Sequence, residues 1–478
     1  MVAPLSIGVI ELDAFERPVP FRFPFRFGVA RVERADQAFV SVRIADSTGR
    51  EATGCAAEML MPKWFDKNPE LTPGQNADQL RTSLRMAMDA FRGAGKGSAF
   101  GLHAAIEADH HVACARAGLG GLIASFGLAL VDRAIIDAIG RLEELPAERL
   151  VASNLLGFSG ATARDLADFD FDRFLASLHV PRSINVRHTV GLGDALCNTD
   201  LNGNRLNDGL PETLQEVIAT YGHAYFKLKV SGHIDADLDR LERIVDVIET
   251  MQPNYRASID GNEQFEDQDH LLSFLDAFAA RPKLQNLGER LLFLEQPIAR
   301  SAALSADLDK IAERTALEID ESDADIDAFI RAKPLGYRGI SSKSCKGFYR
   351  ALLNRARISR WNAETDGPPF FMSAEDLTTQ SGISVQQDLV LAGLIGAEHI
   401  ERNGHHFVDG MANAPETEQR AFLSAHGDLY EQRLGRARLK IEAGQVSLQS
   451  IRLSNGLASK VAPDFEAMVP LKEQGELK

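Results

Sequence analysis

Lysine and carboxylate residues recur at the ends of short apolar runs through the second half of the chain. In AYFKLKV, residues 224–230, Phe226, Leu228 and Val230 alternate with Lys227 and Lys229, and a strand's period of two places both ammonium groups on one face. Further on, YRASID ends at Asp260, LLFLEQP presents Glu295, ALEIDES presents Asp320 and YRGISSK reaches Lys343. An edge strand with a wet, lysine-decorated face accounts for the first run alone. It does not account for an ionisable residue on every strand that follows.

Three acids from successive strands converge on one side of a common mouth, where they repel unless a cation lies among them. All-oxygen ligation suits Mg²⁺, a hard ion that keeps positions for water or substrate oxygens. Lys229 on the second strand and Lys343 on the sixth stand on opposite sides of an eight-stranded ring, so a substrate between them presents one face to each. With a substrate carboxylate on the ion, the hydrogen on its α-carbon becomes removable, because Mg²⁺ and the ammonium groups stabilise the enediolate that forms. The cation and the second lysine of the KLK pair both disfavour a charged Lys229, moving it toward the range of a working base.

Strands and helices in a regular order must carry these groups. From about Ile184, strands alternate with amphipathic helices, the pattern of a parallel sheet built from βα units. INVRHTVG begins the series, followed by the Gly-, Asn- and Asp-rich loop 192–210 and a helix expected to start at Pro211. AYFKLKV, YRASID, LLFLEQ, ALEID and RGISSK are strands two to six, and PFFMSAED and GAEHIER supply the seventh and eighth. Eight such units point to a closed barrel whose active site lies at the C-terminal ends of its strands. Before the series, residues 5–15 and 37–47 read as strands, and 76–92 and 126–142 as helices. After it come a helix near 416–434 and a hairpin-like segment, RLKIEAGQVSLQSIRL, expected to fold back onto the first domain. The fold class is therefore α/β, a modified (β/α)8 or TIM-like barrel with an N-terminal α+β capping domain completed by the C-terminal tail. The expected divisions are 1–180, 181–410 and 411–478.

The chain of 478 residues, 45% hydrophobic and 25% charged, has the balance of an ordinary globular protein. Its formal net charge of −16, from 52 basic and 68 acidic residues, argues against nucleic-acid or membrane partners and for a small molecule. Cys55, Cys114, Cys197 and Cys345 are far apart and form no CxxC pair, which suggests a reducing cytoplasm. Glu11 and Asp13 interrupt the N-terminus before any long apolar run, unlike a signal peptide, and no stretch is long and apolar enough to span a bilayer.

KLK at 227–229, the DGN from Asp260, the EQP from Glu295, the DES from Asp320 and SKSCKG around Lys343 resemble the ordered motifs of the enolase superfamily, in its muconate-lactonizing-enzyme subgroup. The resemblance spans most of the chain. It implies one divalent ion, Mg²⁺, held by Asp260, Glu295 and Asp320, with Lys229 and Lys343 as acid/base lysines and Lys227 as the auxiliary lysine. Asn262 matches the asparagine that often follows the third-strand aspartate. Cap loops close over the substrate in such proteins, which gives Arg22, Arg26 and the segment Gly54–Trp64 a role in specificity. Relatives of this architecture associate, so a homo-oligomer is expected.

Some positions depart from that pattern. Dipeptide epimerases carry an Asp-x-Asp pair on strand eight, whereas this chain has Glu398, His399 and Glu401. Glu375 and Asp376 end strand seven, where both can face the mouth, although Asp376 equally suits a helix cap. His405 and His406 are substrate contacts or merely solvated loop residues. Lys346 competes with Lys343 for the sixth-strand role; Lys343 is preferred because it ends the strand before Gly347 opens the helix. The expected substrate is a small-molecule carboxylate. The expected reaction is racemisation or epimerisation by an isomerase. A lyase acting as a dehydratase, by syn β-elimination from a hydroxy acid, or a cycloisomerase uses the same parts. A metal-free Schiff-base lysine enzyme and a non-catalytic binding protein are the alternatives of other classes.

Overall fold

The structure is a computed structural model that describes residues 3–27 and 30–472, with the backbone alone at 26, 27, 30 and 31. Alternating apolar residues near the N-terminus form two long antiparallel strands, β1 (Ile7–Phe27) and β2 (Ala30–Asp46), which pair from Ile7↔Asp46 to Phe27↔Ala30. Pro18, Pro20 and Pro24 lack an amide donor, and the register slips between Pro20 and Phe25 as strands with proline tend to do. Asp46 closes the next turn, its Oδ1 accepting from the amides of Thr48 (2.8 Å) and Arg50 (3.0 Å). The turn leads into β3 (Glu51–Met59).

Helices α1 (Pro73–Gly93), α2 (Ala99–Arg116) and α3 (Gly121–Leu142) pack on this sheet, with the short β4 (Lys96–Gly97) between the first two. Thr72 and Gln75 form a reciprocal capping box that starts α1 three residues ahead of the predicted boundary. Buried from Leu122 to Gly140, α3 is the central helix of the cap. It approaches β3 so closely that a Cβ at Gly54 would lie 2.2 Å from the Ala138 nitrogen, so this glycine serves packing.

Eight parallel strands follow: β5 (Ser183–Val190), β6 (Tyr225–Lys229), β7 (Arg256–Asp260), β8 (Leu291–Glu295), β9 (Leu317–Ile319), β10 (Gly339–Ser342), β11 (Phe371–Ala374) and β12 (His399–Glu401). Each pairs with its neighbour, and β12 returns to β5 through Ile400↔Val186, closing the barrel. The helix after β5 spans Leu214–Tyr221 rather than starting at Pro211, because Thr213 and Glu216 build a capping box.

The tail departs from the expected hairpin. Its helix stops at Ala425, and β13 (Tyr430–Arg433) pairs with β14 (Arg436–Leu439) across a turn at Leu434 and Gly435, both with positive φ. β15 (Gln445–Ser447) adds antiparallel to the start of β5 on the barrel, and β16 (Val469–Pro470) pairs with Phe15 and Glu16 of β1 in the cap. The tail therefore touches both parts of the fold. Among the described residues no helix is long and apolar enough to cross a membrane.

Candidate active site

Strand register brings the charged ends level. Lys229 pairs with Asp260 across β6 and β7, and Asp260 with Glu295 across β7 and β8, so three ionisable residues occupy one layer. The polar positions of β6 face inward, since Lys227 and Lys229 both lie against Asp260 Oδ2, at 3.0 and 3.1 Å. Lys227 Nζ also donates to Glu295 Oε1 (2.8 Å), Glu375 (3.1 Å) and Glu401 Oε2 (3.1 Å). Opposite, Lys343 Nζ donates to Asp320 Oδ1 (2.7 Å) and to Glu375 Oε2.

Burial disfavours the charge on Lys227 and Lys343, but the surrounding carboxylates outweigh it and raise both well above the ordinary lysine range. The same pairing depresses Glu375, through Lys227, Lys343 and Arg187, and Asp320, through Lys343 and Lys346, against burial in each case. Glu295 goes the other way, raised by burial and by its acidic neighbours Asp260 and Glu375, and its Oε2 is buried without a hydrogen-bond partner. One oxygen each from Glu295, Asp320 and Glu375 lies within 4.8 Å of the others. These hard oxygen donors, one of them unpartnered, fit a divalent cation.

That set shares Glu295 and Asp320 with the expected trio and adds Glu375. Asp260 lines the same cavity as Asp320 and Glu375, its Oδ2 shared by Lys227, Lys229 and Asn262 Nδ2 while its Oδ1 accepts the Asn262 amide, and Glu375 joins the cluster from the end of strand seven. Asn262 also accepts from Lys229 Nζ at 2.6 Å. It sits with Glu263 at positive φ (44° and 69°), an uncommon backbone that turns the chain sharply off the strand end.

Together Lys227, Lys229, Asp260, Asp320, Lys343 and Glu375 line a cavity of about 40 Å³, which Phe25, Met61 and Trp64 of the cap close from above. Trp64 lies over Lys343, with Nζ 4.8 Å from the ring centroid. Arg300 holds that loop down, donating to the carbonyls of Trp64 and Phe65, both at 3.0 Å, and pairing with Glu263. Lys67 adds a second tie, to Glu263 and to the Asn262 carbonyl (3.1 Å).

No family model matches the sequence, and no curated protein is similar to it in sequence. Solved structures are similar along nearly the whole chain. The muconate lactonizing enzyme from Pseudomonas fluorescens, complexed with muconolactone, is 16% identical with a TM-score of 0.59 over 96% of this chain and 98% of that one. An enolase from Bradyrhizobium, complexed with magnesium and mandelic acid, is 16% identical with a TM-score of 0.58 over 98% of each chain. A dipeptide epimerase from Enterococcus faecalis, complexed with Mg and the dipeptide L-Leu-L-Tyr, is 14% identical with a TM-score of 0.58 over 94% and 99%. The fold is that of the enolase superfamily.

Within that fold the remaining candidates separate. Lys346 is buried behind the cavity wall and donates to the carbonyls of Asp320 (2.8 Å) and Ser341 (2.9 Å), while Lys343 lines the cavity. Glu401 also lines it, bound by Thr189, Asn403 and Lys227. Asp376 lines it as well, but its oxygens accept from the amides of Thr378 and Asn403, so it caps its own loop rather than the helix beginning at Ile383.

Arg22 and His405 do not reach the cavity. Arg22 is bound in a fork to Asp208, at 2.6 and 2.9 Å, and donates to the His406 carbonyl, which leaves its guanidinium no free face for a substrate anion. His405 packs against Tyr221, His188 and His223 instead. The Arg26 side chain lies outside the described residues. Of the segment Gly54–Trp64, only its far end, Met61 and Trp64, lines the cavity.

Two buried groups escaped the sequence reading. Arg187 of β5 binds Glu375 Oε1 (2.8 Å) and His399 Nδ1 (2.7 Å), and Glu318 of β9 is pushed up to about 8 by burial and by Glu375. Each shares a strand face with a residue at the mouth, Arg187 with Thr189 and Glu318 with Asp320. That period-two pairing was the available signal.

Proposed function

We propose that this protein is a Mg²⁺-dependent enzyme that removes the α-proton of a small carboxylate substrate, with racemisation or epimerisation as the outcome. The observation that carries the reading is the cavity shared by Lys229 and Lys343, which come from the second and sixth strands of an eight-stranded ring and so face each other across it. Glu295 and Asp320 would hold the ion, with a third oxygen from Glu375 or from Asp260. The bound cation supplies positive charge that stabilises the anion left when the proton departs.

The chain's own groups do the rest. Lys229 and Lys343 address opposite faces of the α-carbon, so one removes a proton and the other returns one. Lys227, fixed by four carboxylates, holds a permanent positive charge at the floor of the site. Phe25, Met61 and Trp64 exclude water and restrict the substrate to a small group beside its carboxylate.

Incubation of the full-length protein with Mg²⁺ and a panel of α-substituted carboxylates in D₂O tests the reading. Deuterium at the α-carbon without loss of substrate is expected. A keto-acid product would assign dehydration, and a lactone cycloisomerisation. Activity that survives EDTA and is trapped by borohydride would sink the proposal.

A further inference from the structure

Outside the barrel wall a second group of ligand-type side chains meets. Arg187 and Thr189 of β5 point inward, to Glu375 and Glu401, so His188 between them points outward. There it meets His223, from the turn leading into β6, and His405, from the short helix after β12. The ring centroids stand 5.3 Å (His188–His223), 5.6 Å (His188–His405) and 5.3 Å (His223–His405) apart. One ring nitrogen from each lies within 4.8 Å of the others.

The hydrogen-bond accounting at this place does not close. His188 Nδ1 and both ring nitrogens of His223 and of His405 are buried without a hydrogen-bond partner, as is Nδ1 of the adjacent His406. Buried polar atoms are ordinarily paired, and leaving one unpaired is destabilising. The Val186 carbonyl is near enough to favour a proton on His223, yet makes no bond of normal geometry. No carboxylate pairs with any of the three rings among the described hydrogen bonds, so they are not charge partners of an acid. Burial lowers all three, which keeps each imidazole neutral with a lone pair available.

We propose that His188, His223 and His405 form a second metal site, one that takes a transition ion such as Zn²⁺ through three imidazoles and is separate from the carboxylate site in the barrel. Imidazole ligands select Zn²⁺, Ni²⁺ or Cu²⁺, whereas Mg²⁺ prefers oxygen. Three histidines leave one coordination position open for water or a fourth ligand. The site ties the start of the barrel to its closing segment. His406 and Phe407, next to His405, pack on Phe23 of β1, and Phe407 packs on Phe25, a cavity-lining residue. An ion here therefore braces the surface on which the cap closes.

Calorimetric titration of the full-length protein with Zn²⁺, with Mg²⁺ in excess to occupy the carboxylates, reads the site directly. About one equivalent is expected to bind, with affinity falling more than tenfold in H405Q and in H223Q. Co²⁺ in place of Zn²⁺ is expected to give the intense visible bands of a tetrahedral nitrogen site, so the wild-type spectrum tests the proposal even if a variant fails to fold. Absence of Zn²⁺ binding under excess Mg²⁺, binding unchanged in both variants, or Co²⁺ bands typical of six oxygen ligands overturns it.

Discussion

Lys343 Nζ lies 2.7 Å from Asp320 Oδ1, joining the end of β10 to the residue that follows β9. On the far side of the ring Lys229 is tied to Asp260 in the same way, at 3.1 Å. Each amine thus has its own acid and its own side of the cavity, an arrangement suited to removing a proton from one face and delivering it to the other.

That symmetry predicts stereochemically divided losses. K229M is expected to slow α-deuterium exchange of one enantiomer by about 10²–10⁴-fold and K343M that of the other, because each variant removes a single acid/base group. NMR of each enantiomer in D₂O reads the two rates separately. Equal loss for both enantiomers in both variants would mean that the lysines act together on one face.

Removal of divalent ions by EDTA is expected to abolish turnover and lower thermal stability. An ion present at about 100 times its Kd stabilises the folded state by about 2.7 kcal/mol, and E295Q and D320N are each expected to lose that increment. D260N and E375Q divide the remaining question. Whichever abolishes the Mg²⁺-dependent rise in melting temperature contributes the third oxygen.

Arg300 secures the loop that carries Trp64, through two hydrogen bonds to its carbonyls and a pair with Glu263. R300A is expected to reduce stability by about 1.5–3 kcal/mol, the range for hydrogen bonds to a charged group. KM should rise more than kcat falls, since Arg300 positions the cavity roof without lining the cavity. R300K is expected to rescue only partly, because an ammonium lacks the fork that spans both carbonyls. Steady-state kinetics with denaturant melts on the same preparations checks all three.

His103 of α2 gives the cap a pH dependence of its own. Burial opposes its charge, but Asp132 at 2.7 Å and Glu107 at 3.6 Å raise its pKa to about 10. A free histidine titrates near pH 6.5, so below about pH 6.5 the folded and unfolded states are both protonated and the stabilisation is complete. Above that, only the folded state keeps the proton, and stability is expected to fall steadily until about pH 10. Urea midpoints across this range should show the decline in the wild type and a flatter profile in H103Q.

Much of the barrel was legible because strand geometry is local. A period of two puts Lys227 and Lys229 on one face, and the βα rhythm sets Asp260, Glu295, Asp320 and Lys343 at consecutive strand ends. Of the long cap helices, α1 and α3 were legible from their apolar spacing and α2 was not anticipated, and Thr72 and Thr213 moved the starts of α1 and of the helix after β5 by capping them. The tail was harder, since a short strand such as β15 takes whatever free edge lies near, and that edge belonged to β5.

The composition of the active site was only partly written in the order of residues. Strand ends and their charges follow from local patterning, and local patterning named the lysines and the acids. Which acids share a cation, where Arg22 finds its partner and which histidines meet are set by side chains that arrive from distant segments. Asp208 lies 186 positions beyond Arg22, and Lys227 lies 148 positions before Glu375. Electrostatic pairing falls off over a few ångströms, so closure of the ring, and not spacing along the chain, selects each charge's neighbour.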